Sequence, residues 1–283
     1  GAVGDGVADD TAAIQAAVNS GANAVTFPKG SYKITSTIDV ATNNVALVGE
    51  SLYSKAPKIF GNFNGFLLDC SGTAPSTYEE PGLIQGLHLE NLNNGTAAGS
   101  AGCIDLTYTG TCLVRDCFLR FQNTGVLLAE TISAEFHNVF LVGDSGTNPT
   151  RSYCRGYSGF GRNCQIRGGR VYACFICLDI AGDAWNINGL NCEFSEIIIK
   201  QGPSTCTLVE GCHFETSKML FTNADTLPTI TTSPWTDNGG TGQGWSGSTT
   251  FLNTHVAFTA VGTLNGVKAP LFVIKSQASF TGS

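Results

Sequence analysis

Apolar and polar residues alternate in short segments that recur along the chain and align without gaps. Six of these segments read IQGLHLE, VRDCFLR, FHNVFLV, IRGGRVY, INGLNCE and VEGCHFE, and they begin at Ile84, Val114, Phe136, Ile166, Ile187 and Val209. The last two intervals between starts are 21 and 22 residues, and Gly, Ser and Thr fill the longer intervals. Alternation with a period of two predicts β-strands. A fixed recurring unit predicts a repeat architecture.

One column of the alignment holds only residues that tolerate a left-handed backbone conformation. Its members are Gly86, Asp116, Asn138, Gly168, Gly189 and Gly211, with Gly49 in a less regular earlier copy. We therefore expect one sharp bend in every repeat. A second strand-like set, such as CIDLTY and CLDIA, follows each first one without a helix between them. Copies stacked about 4.8 Å apart would form parallel sheets around one core, which predicts an all-β parallel β-helix. A β-sandwich is the competing fold, but it should not place the bend residues in one column.

The N-terminal stretch predicts a cover for the open end of this β-helix. Residues 11–19, TAAIQAAVN, can form a short helix with Ile14 and Val18 on one face. Its start can be capped by Asp9, Asp10 or Thr11. We expect these acids, together with Asp5, to fix a capping turn, since a metal site would need more converging carboxylates.

The same residues also carry a resemblance. GAVGDGVADDTAAIQAAV followed by VTFPKGSYKI resembles the N-terminal signature of the pectate-lyase-like right-handed β-helix superfamily, common in bacteriophage tailspikes and polysaccharide depolymerases. The match covers roughly residues 1–50. It implies a right-handed β-helix with this motif in the entrance cap, and a homotrimer. The aromatic residue that usually precedes the first Gly is missing, which favours a chain trimmed from a longer protein.

The resemblance says less about chemistry than about fold. Beyond the cap aspartates, the Asn-Thr-Asp, Asp-Asp and Gly-His-Gly strings of polygalacturonase-like members are absent, and so is the Asp-His signature of calcium-dependent pectate lyases. We therefore expect neither the hydrolysis performed by polygalacturonases nor the elimination performed by calcium-dependent pectate lyases.

The predicted organisation is an N-terminal cap over residues 1–45, a β-helix shaft over residues 46–222, and C-terminal loops and closing strands over residues 223–283.

Charge and cysteine content narrow the class of protein. The net charge is −7 and only 13% of residues are charged, which argues against a nucleic-acid or anionic-membrane binder. No apolar run is long enough for a membrane helix, and no signal peptide is visible.

The 11 cysteines lie mostly in alternating apolar segments, where free Cys acts as a small hydrophobe, so we expect synthesis in a reducing cytosol. The pair Cys174 and Cys177 lacks a second pair for zinc. We expect no metal and no cofactor.

Three acids share one outward column of the repeat, namely Glu90, Glu193 and Glu215. Glu193 and Glu215 fall on adjacent repeats, about 5 Å apart at Cα. Two such carboxyl groups can serve as the catalytic pair of a glycoside hydrolase, with His213 on the same face. The alternative interpretation is a solvated face with ordinary acids.

Two further acids, Asp105 and Asp179, occur in the similar strings CIDLT and CLDIA. Both point outward if the alternation starts at Ile104 and Leu178, and inward in the other register, which would be costly without partners. They lie about three repeats apart. Asp179 is the more promising catalytic candidate of the two.

Residues 150–172 contain five of the seven arginines, no acid and four aromatic residues. Arginine binds carboxylate, sulfate or phosphate through two parallel hydrogen bonds, and aromatic faces pack against sugar rings. Arg170 and Tyr172 share one outward strand and are predicted to bind substrate, which would suit an acidic polysaccharide or a lyase. The alternatives are an RNA-binding segment, a subunit contact or a flexible insertion.

Two tryptophans, Trp235 and Trp245, lie in a polar region nearer the C-terminus. We expect them either to stack on sugar rings or to plug the C-terminal end of the β-helix.

These features predict a phage tailspike-like protein that binds a bacterial surface polysaccharide along its shaft and cleaves it by glycoside hydrolysis. It would be made in the host cytoplasm and reside in the virion tail. The alternatives are a non-catalytic receptor-binding shaft, a lyase acting on an acidic glycan, and a secreted bacterial enzyme of exopolysaccharide processing. No nucleic-acid partner and no membrane insertion are expected.

Overall fold

The computed structural model describes residues 1–41, 44–50, 56–73, 78–97, 99–144, 153–195, 197–201, 207–216, 219–221, 249–252, 255–258, 262–264, 267–269 and 272–274. In chain order its elements are β1 (Asp5–Asp9), α1 (Thr11–Val18), β2 (Ala24–Phe27), β3 (Ser31–Lys33), β4 (Ile38–Asp39), β5 (Ala46–Gly49), β6 (Lys58–Gly61), β7 (Phe66–Asp69), β8 (Gly82–Gln85), β9 (His88–Asn91), β10 (Gly102–Asp105), β11 (Cys112–Arg115), β12 (Phe118–Phe121), β13 (Thr124–Ile132), β14 (Ala134–His137), β15 (Phe140–Gly143), β16 (Arg155–Arg162), β17 (Gln165–Arg167), β18 (Arg170–Tyr172), β19 (Ile176–Asp183), β20 (Trp185–Asn188), β21 (Asn191–Ser195), β22 (Ile197–Gln201), β23 (Thr207–Glu210), β24 (His213–Thr216), β25 (Met219–Phe221), β26 (Thr249–Leu252), β27 (His255–Phe258), β28 (Gly262–Leu264), β29 (Val267–Ala269) and β30 (Phe272–Ile274).

The strands form three long parallel sheets, and the chain visits the sheets in turn. Sheet 1 has the order β1-β3-β6-β9-β12-β15-β18-β21-β24-β27. Sheet 2 has the order β2-β5-β8-β11-β14-β17-β20-β23-β26. Sheet 3 has the order β4-β7-β10-β13-β16-β19-β22-β25-β30. A separate antiparallel pair joins β28 to β29. The right-handed parallel β-helix predicted from the sequence is confirmed.

The core consists of inward columns in which one apolar residue of each turn lies on the next. In sheet 2 one such column runs through Leu47, Ile84, Val114, Phe136, Ile166, Ile187 and Val209. All of these side chains are fully buried. Burying each one contributes roughly 1.5–3 kcal/mol, so the repeat stabilises itself only when its copies stack.

The bend residues lie in a single file between sheet 2 and sheet 1, as the alignment predicted. The φ angles of the six bends from Gly86 to Gly211 are positive and run from 53° at Asn138 to 67° at Gly189, whereas Gly49 of the less regular earlier copy has no positive φ. From Gly86 to Gly189 each bend donates its backbone N–H to a carbonyl oxygen of the next turn; the Asn138 N–H, for example, reaches the Arg167 carbonyl oxygen at 2.8 Å. The Asn138 side-chain amide also donates to Asp116 Oδ1 at 2.9 Å. This file fixes the register of the two sheets on either side of it.

The N-terminal helix is present as predicted, with Ile14 and Val18 as its buried residues. Asp10 occupies the N-cap position, but its carboxylate makes no side-chain cap bond. It accepts instead from the backbone N–H groups of Val3 at 2.6 Å and Gly4 at 3.1 Å. Asp9 accepts from Thr11 and Thr35, whose hydroxyl groups lower its pKa to about 2. The acids of the opening motif therefore hold the cap turn together.

Candidate functional site

Sheet 1 exposes two outward columns of polar and aromatic side chains. Its inward column is apolar and fully buried from Ile59 through Leu89, Leu119, Leu141, Val171 and Cys192 to Phe214. On one side of it, the first outward column runs through Lys58, His88, Phe118, Phe140, Arg170, Asn191 and His213. On the other side, the second runs through Phe60, Glu90, Arg120, Val142, Tyr172 and Glu193. We call these two columns the outer face of sheet 1.

Glu90 is the centre of a salt-bridge network on this face. Its side chain is 12% exposed, and Lys58 Nζ lies 2.6 Å from Oε1. Arg120 reaches Glu90 Oε2 through Nη1 at 3.2 Å and Asp144 Oδ2 through Nη2 at 2.7 Å. Burial alone would raise the pKa of Glu90, but the hydrogen bond and charge of Lys58 and the charge of Arg120 hold it below its ordinary value. Sequence reasoning placed Glu90 in the acidic column and missed both basic partners.

His88 borders this network as a neutral group. Burial, reinforced by the charge of Lys58, lowers its pKa from 6.5 to about 4. Its Nε2 lies 4.0 Å from Glu90 Oε2 and has no hydrogen-bond partner among the described residues. The imidazole ring meets the Phe118 ring edge to face at 4.8 Å. His88 therefore contributes an aromatic surface at neutral pH.

Farther along the same face, five residues form what we call the Arg170 patch: Arg170, Tyr172, Asn191, Glu193 and Phe194. Arg170 Nη2 donates to Glu193 Oε2, and Asn191 Nδ2 donates to Glu193 Oε1 at 2.6 Å. The guanidinium carbon of Arg170 lies 4.8 Å from the centroid of the Tyr172 ring. The Tyr172 and Phe194 rings are 5.1 Å apart. Phe194 is 63% exposed, so the patch presents an open aromatic surface beside a charged pair.

A β-bulge produces this exposure of Phe194. In β21 and β24, Cys192 pairs with Phe214 and Ser195 pairs with Thr216, with a register shift between them. Two residues of β21 therefore lie opposite the single residue Glu215. Phe194 has a φ of 51°, the left-handed conformation that directs a side chain away from the regular alternation. The sequence pattern did not reveal this bulge.

The structure brings some of the predicted site residues together and separates others. Arg170, Tyr172 and Glu193 are in mutual contact. His213 is exposed and lies in register with Asn191. Glu215 lies on the strand next to Glu193 and pairs with Ala257, while its side chain is outside the described residues. Trp235 and Trp245 are also outside the described residues.

Asp179 lies on sheet 3, away from the Glu193 strand. Its column contains Asp105, Leu127, Ser158 and Lys200 and alternates with the inward apolar column, which resolves the orientation in favour of the outward face. Asp179 is nevertheless only 1% exposed. Arg155 Nε donates to its Oδ2, so this outward acid is covered by its arginine partner.

The described arginines of the segment 150–172 do not share one surface. This segment contributes to all three sheets through β16, β17 and β18. Tyr157 is fully buried in the core, and Arg162 forms a salt bridge with Glu130 at 3.2 Å. Arg167 lies on sheet 2 and hydrogen-bonds Gln165. The solenoid turns the chain through three directions within one repeat, so arginines that are close in the sequence lie on different sheets.

The described cysteines are buried in the hydrophobic core. All ten cysteines in the described part of the chain are free and buried, including Cys174 and Cys177, and burial raises the pKa of the Cys174 thiol. Among the described residues, no three His, Cys, Asp or Glu side chains are placed to share a metal ion. Within the same residues, no helix has the length and apolar character needed to cross a membrane.

Two solved structures with TM-scores above 0.5 support the fold. The S. pneumoniae surface adhesin PfbA matches with a TM-score of 0.58 and 14% identity, over 91% of this chain and 70% of PfbA. Endo-xylogalacturonan hydrolase from Aspergillus tubingensis matches with a TM-score of 0.55 and 14% identity, over 91% of this chain and 73% of the hydrolase. The ORF18 protein of Geobacillus virus E2 matches with a TM-score of 0.39 and 18% identity, over 79% of this chain and 58% of ORF18.

This chain thus spans 58% of the length of ORF18. No curated protein sequence matches it. The family model described as "Rhamnogalacturonase A/epimerase, pectate lyase-like" matches residues 1–218. Since that match covers the cap and most of the three stacked sheets, the chain belongs to the rhamnogalacturonase A/epimerase, pectate lyase-like family of β-helix proteins.

Proposed function

We propose that this protein binds a polysaccharide along the outer face of sheet 1, with the Arg170 patch as the main contact. The observation that carries the proposal is the pair of rings formed by half-buried Tyr172 and exposed Phe194 beside the Arg170–Glu193 salt bridge. Aromatic rings bury the apolar faces of sugars, and charged pairs hydrogen-bond sugar hydroxyl groups. Membership of a family named for polysaccharide-degrading enzymes agrees with this assignment.

The finer proposal concerns the glycan and its setting. The N-terminal motif GAVGDGVADD resembles phage tailspikes, which supports a bacterial surface polysaccharide as the ligand. On this proposal the chain acts in the virion tail as a homotrimer. Sizing of the purified full chain by light scattering, and immunolabelling of phage particles, would test the assembly and the location separately from glycan binding.

The binding proposal is tested by truncating one ring at a time. Tyr172→Ala and Phe194→Ala are expected to weaken binding to a recognised capsule or lipopolysaccharide about tenfold, as loss of an aromatic anchor does. Phe160→Ala is the matched control, because Phe160 also lies near an arginine, Arg162 at 5.4 Å, but on sheet 3. Equal weakening in the control and none at Tyr172 would contradict the proposal.

Hydrolysis is the second candidate function, favoured by the position of Glu193 and Glu215 on adjacent strands of sheet 1. Two acids on adjacent strands can supply the nucleophile and the general acid for cleavage of a glycosidic bond. Incubation of the full chain with the recognised glycan should release reducing ends without the ultraviolet absorbance of an unsaturated sugar. Absorbance together with reducing ends would indicate a lyase, and neither signal would indicate binding alone.

Glu193→Gln and Glu215→Gln each remove one carboxylate of this proposed pair and should abolish cleavage. Glu210→Gln is the control, because Glu210 lies on sheet 2 and accepts a hydrogen bond from Asn188 there. Cleavage at the wild-type rate in both sheet 1 variants would exclude these two acids as the catalytic pair.

A further inference from the structure

We infer that the outer face of sheet 1 recognises an uncharged segment of its glycan, in which hydroxyl groups and not carboxylate or sulfate groups make the polar contacts. This inference rests on the proposed function and names the substrate class. It differs from the acidic polysaccharide that the arginine content of residues 150–172 suggested.

The first observation is the charge balance of the described part of this face. Its central cations, Lys58, Arg120 and Arg170, each form a salt bridge to Glu90 or Glu193 of the same face. Arg120 also bridges to Asp144, which directly follows β15, so the six formal charges of this group sum to zero. At the N-terminal edge, Lys33 lies opposite Asp9 in register. Each of these cations therefore already has an acid as its neighbour.

The second observation is that acids already lie against the guanidinium groups. Arg120 donates to Glu90 through Nη1 and to Asp144 through Nη2, and Arg170 donates to Glu193 through Nη2. Each guanidinium keeps further N–H donors, but a glycan carboxylate that bound there would either displace the acid or lie beside its like charge, which is unfavourable. The Glu90 side chain is 12% exposed and that of Glu193 is 16% exposed, so a displaced acid would remain half-buried and unpaired. Leaving such a charge without a partner is costly.

A hydroxyl group meets no such obstacle. It donates and accepts at the same time, so it can donate to a carboxylate oxygen and accept from a guanidinium N–H without breaking the salt bridge. The Arg170 patch offers both kinds of group, since Arg170 donates hydrogen bonds and Glu193 accepts them.

The third observation is a contrast with sheet 2. Arg115 Nη2 lies 2.8 Å from Gln85 Oε1, and Arg167 Nε lies 3.1 Å from Gln165 Oε1. Neither arginine forms a salt bridge with a described acid. The chain therefore does present cations paired only with neutral amides, but it presents them on a different face. The outer face of sheet 1 thus differs from sheet 2, whereas sheet 3 shares the pairing of arginines with acids through Arg155–Asp179 and Arg162–Glu130.

The experiment compares each polysaccharide of a host-derived panel with its carboxyl-reduced form, using the full wild-type chain. We expect the reduced form to bind within about threefold of the native form, and binding to change less than about threefold between low and high salt, because screening acts on charge–charge contacts. Loss of binding on carboxyl reduction, together with strong salt dependence, would overturn the inference and leave the proposed function standing. Binding to no member would contradict both.

A single substitution supplies the converse test. Glu193→Gln keeps the shape of the side chain but releases Arg170 from its acid, so affinity for an acidic polysaccharide should rise about tenfold, the effect of one charge-assisted contact. Glu210→Gln on sheet 2 makes the same chemical change away from the patch and should leave that affinity unaltered. An unchanged affinity in Glu193→Gln, with thermal unfolding like the wild type, would contradict the inference.

Discussion

Glu90 and Arg120 are 30 residues apart in the chain, yet they face each other across adjacent strands of sheet 1 and form a salt bridge of 3.2 Å. The same carboxylate holds Lys58 from the preceding turn. One acid thereby ties three successive turns of the β-helix on their outer face. This arrangement makes the network a structural clamp next to the proposed binding surface.

Removing the Glu90 charge should loosen this clamp. Glu90→Gln leaves Lys58 and Arg120 without their shared acid, and we expect a loss of about 1–3 kcal/mol in the free energy of unfolding, less than for a fully buried pair because solvent screens the exposed part of Arg120. Urea unfolding followed by circular dichroism measures it. Glu50→Gln, at an exposed acid, should change stability by less than about 0.5 kcal/mol; equal effects of both variants would contradict the prediction.

His88 should make the protein less stable in mild acid. Its pKa is about 4 in the folded protein against an ordinary 6.5, so between these values the unfolded chain binds a proton that the folded protein does not. The free energy of unfolding should therefore fall as the pH falls from 6.5 towards 4, and His88 should contribute no such loss above 6.5.

Two measurements check the His88 prediction. Nuclear magnetic resonance should show the His88 ring titrating with a midpoint near 4. In urea unfolding, His88→Phe should lose less stability between neutral pH and pH 4.5 than the wild type does. A His88 midpoint at its ordinary value, with parallel pH profiles for the two proteins, would rule out this role.

The hydroxyl group of Tyr157 is buried without a hydrogen-bond partner among the described residues. Tyr157→Phe removes that unsatisfied group and retains the ring contact with Phe136 at 4.9 Å. We expect the variant to be as stable as the wild type or more stable by about 1 kcal/mol. Tyr32→Phe is the matched comparison, because it loses a bond to the Pro28 carbonyl oxygen at 2.9 Å and should cost about 0.5–1.5 kcal/mol. Thermal unfolding of both variants tests this prediction. A Tyr157→Phe variant less stable than the wild type would contradict it, because the hydroxyl group would then have a hydrogen-bond partner.

Two glycines with positive φ should respond oppositely to substitution. Gly168 belongs to the bend file, and an added Cβ there meets no atom within 4 Å. Gly168→Asn should therefore stay within about 1 kcal/mol of the wild type, because Asn tolerates this conformation, as Asn138 shows in the same file with a φ of 53°.

Gly159 lies in sheet 3, where an added Cβ would come within 1.6 Å of the Leu128 carbonyl oxygen. Gly159→Ala should lower the free energy of unfolding by about 3 kcal/mol or more, because the backbone of one of the two strands would have to move. Expression yield and unfolding temperature of the two variants provide the measurement. Equal tolerance at both positions would show that the register of sheet 3 can adjust.

The periodic features could be predicted because they are local. Positive φ at Asp116 and Asn138 follows from the preferences of those residue types, and alternation assigns Leu89 and Leu119 to the core whatever the lengths of the loops. The capping helix follows from the spacing of Ile14 and Val18. The column containing Glu90 and Glu193 was also readable from the repeat.

The partners of the charged groups could not be predicted in the same way. Lys58 reaches Glu90 across 32 residues, and such a pairing depends on which turn lies above which. Phe194 was missed because a bulge breaks the alternation there, and Asp179 is covered by Arg155 although it faces outward.

By itself, the sequence determined that the chain forms a stacked β-helix with one bend per turn, because backbone preferences and apolar alternation act within a few residues. Only the tertiary structure decided that the central cations of sheet 1 are paired with acids and that the exposed Phe194 ring packs on Tyr172 beside one of these pairs. Salt bridges and ring contacts form between neighbouring turns, and that register is a property of the folded solenoid rather than of any one segment.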